Sequence, residues 1–327
     1  MNAYIGHESQ LAGMEEHLLL NGKGGGMRLY EVHTAAGIDM TVSPDRCCDI
    51  ARLRYKAVNL SYLSPCGYVA PAYYDSIEAN WLKSFTAGFL TTCGLNNVGS
   101  PNTDEGERLP LHGTIGNTPA EHAWWEETEN AFVIHGEMSD ETIFDRKLRL
   151  NRTISVDKTA AVFTVVDTIE NRGDTVQPME ILYHMNMGYP LLDEDSIIDI
   201  PALSVKARDE HAAEDIANCL RMEKPQAGYI ERCYYHKFAP GEQTVSITQP
   251  KNGIRLSISF DSRSLDGFIE WKMMGVRDYV LGLECGNCYP DGRDVMRASG
   301  MLKFLAPGQK VTYKVKIAVS DSEKEKA

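Results

Sequence analysis

The sequence lacks any apolar run that approaches the roughly 20 residues a membrane-spanning helix needs. Its first segment, MNAYIGHESQLAGMEEHLLL, has no basic stretch leading into an apolar one, which is the pattern of a secretory signal. Basic residues are also scarce, since 33 lysines and arginines stand against 46 aspartates and glutamates and leave a formal net charge of −13. A chain this acidic repels phosphate backbones. We therefore expect a cytoplasmic protein that binds neither nucleic acid nor a membrane.

Paired cysteine motifs are almost absent as well. Of the eight scattered cysteines, only Cys285 and Cys288 have the Cys-x-x-Cys spacing. A structural zinc site usually needs a second such pair. A thioredoxin-like redox pair opens a helix in a βαβ unit, whereas CGNCYPDGRD follows a strand-like segment and contains a Pro-Asp-Gly turn. We expect free thiols and no bound metal.

Segments with alternating apolar and polar residues, bounded by turn residues, dominate the chain. Examples are AAVFTVVDTIENRGD, NGIRLSISFD, DYVLGLE and VTYKVKIAVS. Helices are predicted only for QLAGMEEHLLLNG, for DSIEANWLKSF and for ARDEHAAEDIANCLRM. Short strands with few crossover helices favour an all-β sandwich or barrel over a doubly wound α/β fold. We predict a single domain over residues 1–327, with a frayed tail at 320–327.

One acidic residue stands out by its position in such a strand. Glu284 ends the apolar segment YVLGLE, which indicates a buried strand. An unpaired buried carboxylate is unfavourable by several kcal/mol. Glu284 is therefore either paired with a base for structural reasons or held there for catalysis, and its position alone leaves both readings open.

Two histidines are set apart by their surroundings. His112, in LPLHGTIGNTPAEHAWW, precedes a glycine in a predicted loop. His184, in MEILYHMNMGYPLL, lies within a predicted strand beside Tyr183 and close to Asn186. A lone histidine in a strand is more often an ordinary core or surface residue than a catalytic one, so neither histidine identifies a site by itself.

Taken together, these segments resemble the aldose 1-epimerases, the galactose mutarotase-like family. LPLHGTIGNTPAEHAWW is similar to the family's HG…W segment, MEILYHMNMGYPLL to its strand with the second histidine, and DYVLGLECGN to its late glutamate strand. FLAPGQKVTYKVKIAV resembles its closing strand, and the order His, His, Glu is retained over nearly the whole chain. SPDRCCDIARLRYKAVNL and FIEWKMMGVRDYVLGLE are closer to a less characterised branch of the family.

This resemblance implies a large antiparallel β-supersandwich with a sugar cleft on a concave face. It implies an isomerase of carbohydrate metabolism, an aldose 1-epimerase acting on a sugar or sugar derivative. His184 would be the general acid, Glu284 the general base, and His112 would bind the ring oxygen or a neighbouring hydroxyl.

The sequence also departs from the family's main branch. There an arginine follows the early G…N segment, whereas TTCGLNNVGSP offers asparagines. Arg46, in PDRCCDI, could supply the cation from another strand. From their positions, further sugar contacts are expected from Asn186, Lys272 and Asn287, and ring contacts from Trp81, Trp124 or Trp271.

The residue types suit the chemistry of anomer exchange. One group must take the proton of the C1 hydroxyl while another gives a proton to the ring oxygen. Glutamate is ionised near neutral pH, and an imidazole with an ordinary pKa of about 6.5 keeps a usable protonated fraction. Because this reaction requires neither a metal nor a nucleotide, we expect no cofactor.

Two other functions remain open at this level. Two histidines and a carboxylate also form a plausible facial triad for a divalent metal, as in a metal-dependent sugar isomerase or lyase. A non-catalytic carbohydrate-binding protein would keep the same sandwich. The sequence leaves open which sugar is bound, whether it is modified, which carbon is epimerised and whether the chain forms a homodimer.

Overall fold

The computed structural model describes residues 3–322, which are built mainly from antiparallel strands. The first half contains β1 (Gly13–Leu18), β2 (Arg28–His33), β3 (Ile38–Ser43), β4 (Asp49–Tyr55), β5 (Val58–Asn59), β6 (Tyr62–Leu63), β7 (Ala87–Gly88), β8 (Leu90–Leu95), β9 (Asn102–Asp104), β10 (Glu107–Leu109), β11 (His122–Glu127), β12 (Ala131–Glu141) and β13 (Lys147–Asp157). The second half contains β14 (Val162–Asn171), β15 (Gln177–Pro178), β16 (Glu180–Met187), β17 (Ile197–Asp199), β18 (Ser204–Ala207), β19 (Arg232–Lys237), β20 (Glu242–Gln249), β21 (Ile254–Asp261), β22 (Gly267–Met274), β23 (Tyr279–Gly286), β24 (Phe304–Leu305) and β25 (Lys310–Asp321).

Helical structure in residues 3–322 is short. It comprises α1 (Glu210–Ala213), α2 (Arg293–Ala298) and 3-10 turns at Glu8–Gln10, Gly22–Gly24, Pro71–Tyr73, Glu78–Lys83, Ile115–Asn117 and Ile216–Asn218. None of these helices is long and apolar enough to cross a bilayer. The helices predicted around residues 75–85 and 207–222 are therefore present as short turns.

The helix predicted for QLAGMEEHLLLNG is wrong. The middle of that segment is β1, which pairs antiparallel with β2, so that Glu16 lies opposite Tyr30. Glu16 also accepts a hydrogen bond from the indole of Trp125, at 2.9 Å. Pairing with a neighbouring strand thus overrides a local sequence that favours a helix.

Three large sheets organise the strands. One has five strands in the order β1-β2-β3-β4-β5, a second has eight in the order β11-β12-β13-β14-β25-β21-β20-β17, and a third has six in the order β18-β19-β22-β23-β16-β8. Along β12, β13 and β14 every second residue is buried, as the alternating sequence predicts. The all-β, mutarotase-like prediction of the fold is confirmed.

The six-stranded sheet is covered on both faces. Every residue of β16 is buried, and its two faces contact different surroundings. Tyr183 and Met185 join the main core against the eight-stranded sheet, whereas Leu182 packs with the smaller cluster around Trp81 on the opposite face. This second face, on which His184 also lies, forms the candidate site.

The predicted frayed tail begins too early. β25 continues to Asp321, and Ser320 and Asp321 pair with the start of β21. The Lys56 ammonium also lies 2.6 Å from the Asp321 carboxylate. Residues 323–327 of the predicted tail lie outside the described residues.

A buried guanidinium ties the three large sheets together. Arg152 on β13 donates to both carboxylate oxygens of Asp167 on β14, at 2.9 and 2.6 Å, and to Asp49 on β4, at 2.7 Å. Asp49 accepts from the backbone and hydroxyl of Thr92 on β8, and Asp167 accepts from the hydroxyl of Tyr183 on β16. Two carboxylates therefore depend on one cation that is inaccessible to solvent.

Arg152→Met should destabilise the protein by about 3–5 kcal/mol, because both buried carboxylates lose their charge partner. Urea denaturation followed by circular dichroism measures this loss. As a matched control, Arg172→Met removes an exposed arginine and should change the free energy of unfolding by less than about 0.5 kcal/mol. Equal effects of the two substitutions would contradict the proposed importance of the network.

Candidate active site

The register between β16 and β23 brings the candidate acid and base together. Tyr183 pairs with Cys285, and one step along, the same antiparallel register sets His184 opposite Glu284. Nδ1 of His184 lies 3.2 Å from Oε1 of Glu284. A Cβ at Gly282, two residues before Glu284, would occupy the position of this carboxylate. Because Gly282 has no side chain, there is space for the Glu284 carboxylate beside the imidazole.

Both members of this pair are withdrawn from water, at 5% exposure for His184 and 2% for Glu284. Within residues 3–322, neither His184 Nδ1 nor Glu284 Oε1 makes an aligned hydrogen bond. Burial, with a smaller effect of the Glu231 charge, raises the pKa of Glu284 well above its usual value. Burial lowers the pKa of His184 to about 4, although hydrogen bonding of the imidazole to Asn186 opposes the shift.

These shifts correct one expectation from the sequence. An ionised glutamate and a partly protonated imidazole were expected near neutral pH, but burial favours the neutral form of each group. His184 is therefore a neutral imidazole at neutral pH, and burial favours the protonated form of Glu284. The pair still holds one proton in total.

His112 approaches the pair from the loop that follows β10. Its backbone has a left-handed φ of 56°, and its amide donates to the carbonyl of Gly99 at 2.9 Å. The amide of Gly99 in turn donates to Nδ1 of His112, at 3.3 Å. Burial, with a smaller effect of His184, lowers the pKa of His112 well below its usual value. The neutral ring therefore carries its proton on Nε2, where it is available as a donor.

Aromatic rings fix the imidazole of His184 from several sides. Its ring centre lies 5.2 Å from that of Trp271, 5.4 Å from that of Phe85 and 5.6 Å from that of His112. Trp81 stacks on Phe85 with centres 4.4 Å apart. These rings line a cleft of about 220 Å³, into which both histidines and Glu284 face. Such a cleft combines flat apolar walls with few polar groups, as small-molecule sites commonly do.

The rim of the cleft carries a charged pair that the sequence analysis missed. Glu231 accepts from the indole of Trp271, at 2.7 Å, and from two nitrogens of Arg208, each at 3.2 Å. Arg208 also donates to the thiol sulfur of Cys233, at 3.1 Å. Strand alternation could have identified Glu231. It lies two residues before Cys233 in the chain, so both side chains point to the same side, towards the cleft.

Arg46 does not reach the cleft. It is almost fully buried, and its guanidinium donates to the backbone carbonyls of Gly116, Val69 and Ser84, at 2.8, 2.8 and 3.0 Å. Its donors hold loops together, so the expected replacement for the family's arginine is not found at this residue.

Lys272 and Asn287 are likewise engaged elsewhere. The ammonium of Lys272 donates to the carbonyl of Arg221, at 2.5 Å, and lies 3.3 Å from Glu223. Asn287 accepts from the amide of Ile181, at 2.8 Å. Neither side chain lines the cleft, so the predicted contacts with sugar hydroxyls are not supported for these two residues.

The remaining candidates divide between the cleft and the outer surface. Asn186 is buried next to the imidazole and donates to the carbonyl of His184, at 3.0 Å, which suits a role in positioning. Trp81 and Trp271 line the cleft. Trp124 lies on the eight-stranded sheet and stacks on His135, at 4.8 Å, away from the site.

The cysteine thiols give no sign of a reactive or metal-binding role. All eight cysteines are free, and seven are buried, Cys66 being the partly exposed one. Burial raises the pKa of both Cys285 and Cys288, so neither is a reactive thiolate. Among residues 3–322, no group of three or more His, Cys, Asp or Glu side chains has the arrangement of a metal site.

Glu284→Gln should stabilise the fold increasingly as the pH rises. A raised folded pKa means that the native state holds the proton after the unfolded state has lost it, so the stability of the wild type falls with pH between the two values by up to about 1.4 kcal/mol per unit. Glutamine lacks this titration. The melting temperature of the variant relative to the wild type should therefore be higher at pH 8 than at pH 5. The control Glu129→Gln, at an exposed position, should show no such trend, and a pH-independent difference for Glu284→Gln would refute the assignment.

Several solved structures are similar to this chain in fold. A "putative aldose 1-epimerase" from Klebsiella pneumoniae subsp. pneumoniae MGH 78578 is 21% identical, with a TM-score of 0.87 over 99% of this chain and 90% of that chain. Galactose 1-epimerase from Lactobacillus acidophilus NCFM is 11% identical, with a TM-score of 0.65 over 95% of this chain and 100% of its own. A galactose mutarotase-like protein from Clostridium acetobutylicum also has a TM-score of 0.65, at 11% identity over 95% of this chain and 99% of that chain.

At these identities the likeness concerns the fold. No curated protein matches the sequence. One family model matches residues 24–319, which is most of the chain. The chain therefore belongs to the family described as a domain of unknown function (DUF4432), and its fold is that of the galactose mutarotase-like proteins.

Proposed function

We propose that this protein is an aldose 1-epimerase-like isomerase that opens and recloses the hemiacetal ring of a sugar or sugar derivative. One observation carries the proposal: the imidazole of His184 and the carboxyl of Glu284 meet at 3.2 Å in the cleft, with their facing atoms unsatisfied. A general acid and base must lie within reach of a bound substrate, and both of these groups line the cleft. The fold neighbours support the same class of reaction.

Ring opening needs one proton acceptor and one proton donor at the same time. The acceptor takes the proton of the C1 hydroxyl, whose O–H electrons become the C1=O1 double bond. The C1–O5 bond breaks with its electrons on O5, which takes a proton from the donor. Rotation about C1–C2 and reversal of these steps give the other anomer.

The buried pair meets this requirement with its single proton. Burial favours the proton on Glu284 by raising its pKa, and transfer of that proton across the 3.2 Å contact to His184 gives the ionised form. We assign His184 as the general acid and Glu284 as the general base of ring opening. Reclosing reverses these roles, so the pair returns to its starting state without net gain or loss of a proton.

The other residues of the cleft would orient the sugar. The proton on Nε2 of His112 can be donated to the ring oxygen or to a neighbouring hydroxyl. Trp81 and Trp271 offer flat apolar walls for the sugar ring. Glu231 and Arg208 at the rim supply an acceptor and donors for hydroxyls. Which sugar binds would then depend on how its hydroxyl groups match these donors and acceptors.

Glu284→Gln and His184→Asn should each lower the rate of anomer exchange by about 10²–10⁴-fold, because each removes one proton-transfer group. The measurement is proton NMR of freshly dissolved pure anomers from a panel of aldoses, with the uncatalysed rate subtracted.

Glu270→Gln is the matched control for these variants. Glu270 is a buried carboxylate in the same sheet, paired with His236 at 2.9 Å, but it does not line the cleft. Its rate should stay within a few-fold of the wild type. Wild-type protein that binds aldoses without accelerating the exchange of any of them would instead be a non-catalytic carbohydrate-binding protein.

The pH profile of kcat/KM should differ from that of a solvent-exposed glutamate and histidine. Such a pair would hold one proton only between about pH 4.3 and 6.5. Here the pair is singly protonated from a pH near 4, the pKa of His184, up to the raised pKa of Glu284. We expect kcat/KM to stay level as the pH rises through 6.5. A fall centred on that pH would contradict the assigned protonation states.

A further inference from the structure

A second hollow lies beside the cleft and has a different chemical character. It has a volume of about 430 Å³ and is lined by Arg52, Arg54 and Arg277 together with Tyr62, Tyr189 and Tyr279. We call it the arginine hollow. The arginines come from separate elements, since two lie on β4 and the third on the turn between β22 and β23. Of the residues at 3–322, none that lines the hollow is acidic.

The three guanidiniums have no carboxylate partner. Elsewhere in this acidic chain, arginines such as Arg149 and Arg263 lie 2.8 and 2.5 Å from a carboxylate. In contrast, within residues 3–322 no ion pair is formed by the side chains of Arg52, Arg54 or Arg277, and all three are exposed. Asp39, opposite Arg54 in the sheet, and Asp278, next to Arg277 in the chain, form no ion pair with these arginines. Three guanidiniums therefore surround one hollow without an ion pair in the described part of the chain, which favours a bound anion.

An apolar surface connects this hollow with the cleft. A depression of about 470 Å³, which we call the apolar shelf, is lined mainly by apolar side chains such as Pro65, Met273 and Val280, and it also includes the acidic residues Glu231 and Asp278. It shares Phe85 and Trp271 with the cleft and Tyr62 with the arginine hollow. The three depressions are therefore contiguous. A ligand longer than one sugar ring can follow the shelf from one to the other.

We propose that the arginine hollow binds the acidic group of a saccharide, a carboxylate, phosphate or sulfate ester, whose sugar end occupies the cleft. The guanidinium fork is suited to two-point hydrogen bonding with these oxyanions. The tyrosine faces and the apolar shelf are suited to the flat faces of intervening sugar rings. The position of the sugar end rests on the proposed function, whereas anion binding by the arginines does not.

Isothermal titration calorimetry tests this with trigalacturonate, a sulfated disaccharide, their neutral counterparts and inorganic sulfate. The wild type should bind the acidic saccharides more tightly than the neutral ones, with an affinity that falls as sodium chloride rises. The double variant Arg54→Gln/Arg277→Gln should lose about tenfold or more in affinity for the acidic saccharides only. The control Arg108→Gln/Arg172→Gln, which removes the same charge from exposed sites outside the hollow, should not.

Competition separates a spanning ligand from an isolated anion site. A saturating neutral aldose in the cleft should weaken the binding of the acidic saccharides. Unchanged binding would overturn the proposal, since the anion would then be independent of the cleft. Equal affinities of the wild type and Arg54→Gln/Arg277→Gln would overturn it as well. Acidic saccharides that bind as expected without anomer exchange would refute the proposed function and leave the arginine hollow supported.

Discussion

The buried contact of Arg152 with Asp167 and Asp49 is the interaction on which the geometry of the site depends. It joins strands of the eight-stranded and five-stranded sheets, and its carboxylates reach the six-stranded sheet through Thr92 and Tyr183. Tyr183 is the chain neighbour of the cleft histidine. A slip of one residue in this strand would turn its imidazole into the core and its tyrosine into the cleft. The charged network therefore fixes which side chains of β16 face the cleft.

A second buried cation fixes the other side of the cleft. Arg293, just after the turn that follows β23, donates to Asp104 and Glu107, each at 2.7 Å, and to the carbonyl of Asn96, at 3.1 Å. These contacts hold the β9–β10 hairpin, from which the chain continues to His112. Both halves of the site are thus anchored by guanidiniums that lie outside it. Within the cleft, burial favours the neutral forms of His184 and Glu284, and the charged pair of Arg208 and Glu231 lies at the rim.

The sequence predicted the features that depend on strand periodicity. The alternation of β12 to β14, the strand of His184 and the buried strand of Glu284 follow from it. The resemblance to a known family brought these two residues together. The sequence could not predict which groups the charged ends of long cationic side chains contact. Arg46 and Lys272 find backbone carbonyls from distant loops, which no local pattern encodes. Glu231 was missed because its role comes from contacts with Trp271 and Arg208 across the rim.

Because the cysteines differ in burial, the molecule has a natural site for the attachment of a thiol-directed dye. Cys66 is the one thiol that is partly exposed, and it borders the apolar shelf, with its sulfur 3.3 Å from the carbonyl of Leu82. A thiol-directed dye added to the native protein therefore has a single accessible target. Attached there, an environment-sensitive fluorophore would report the arrival of a ligand on the shelf without any engineered residue.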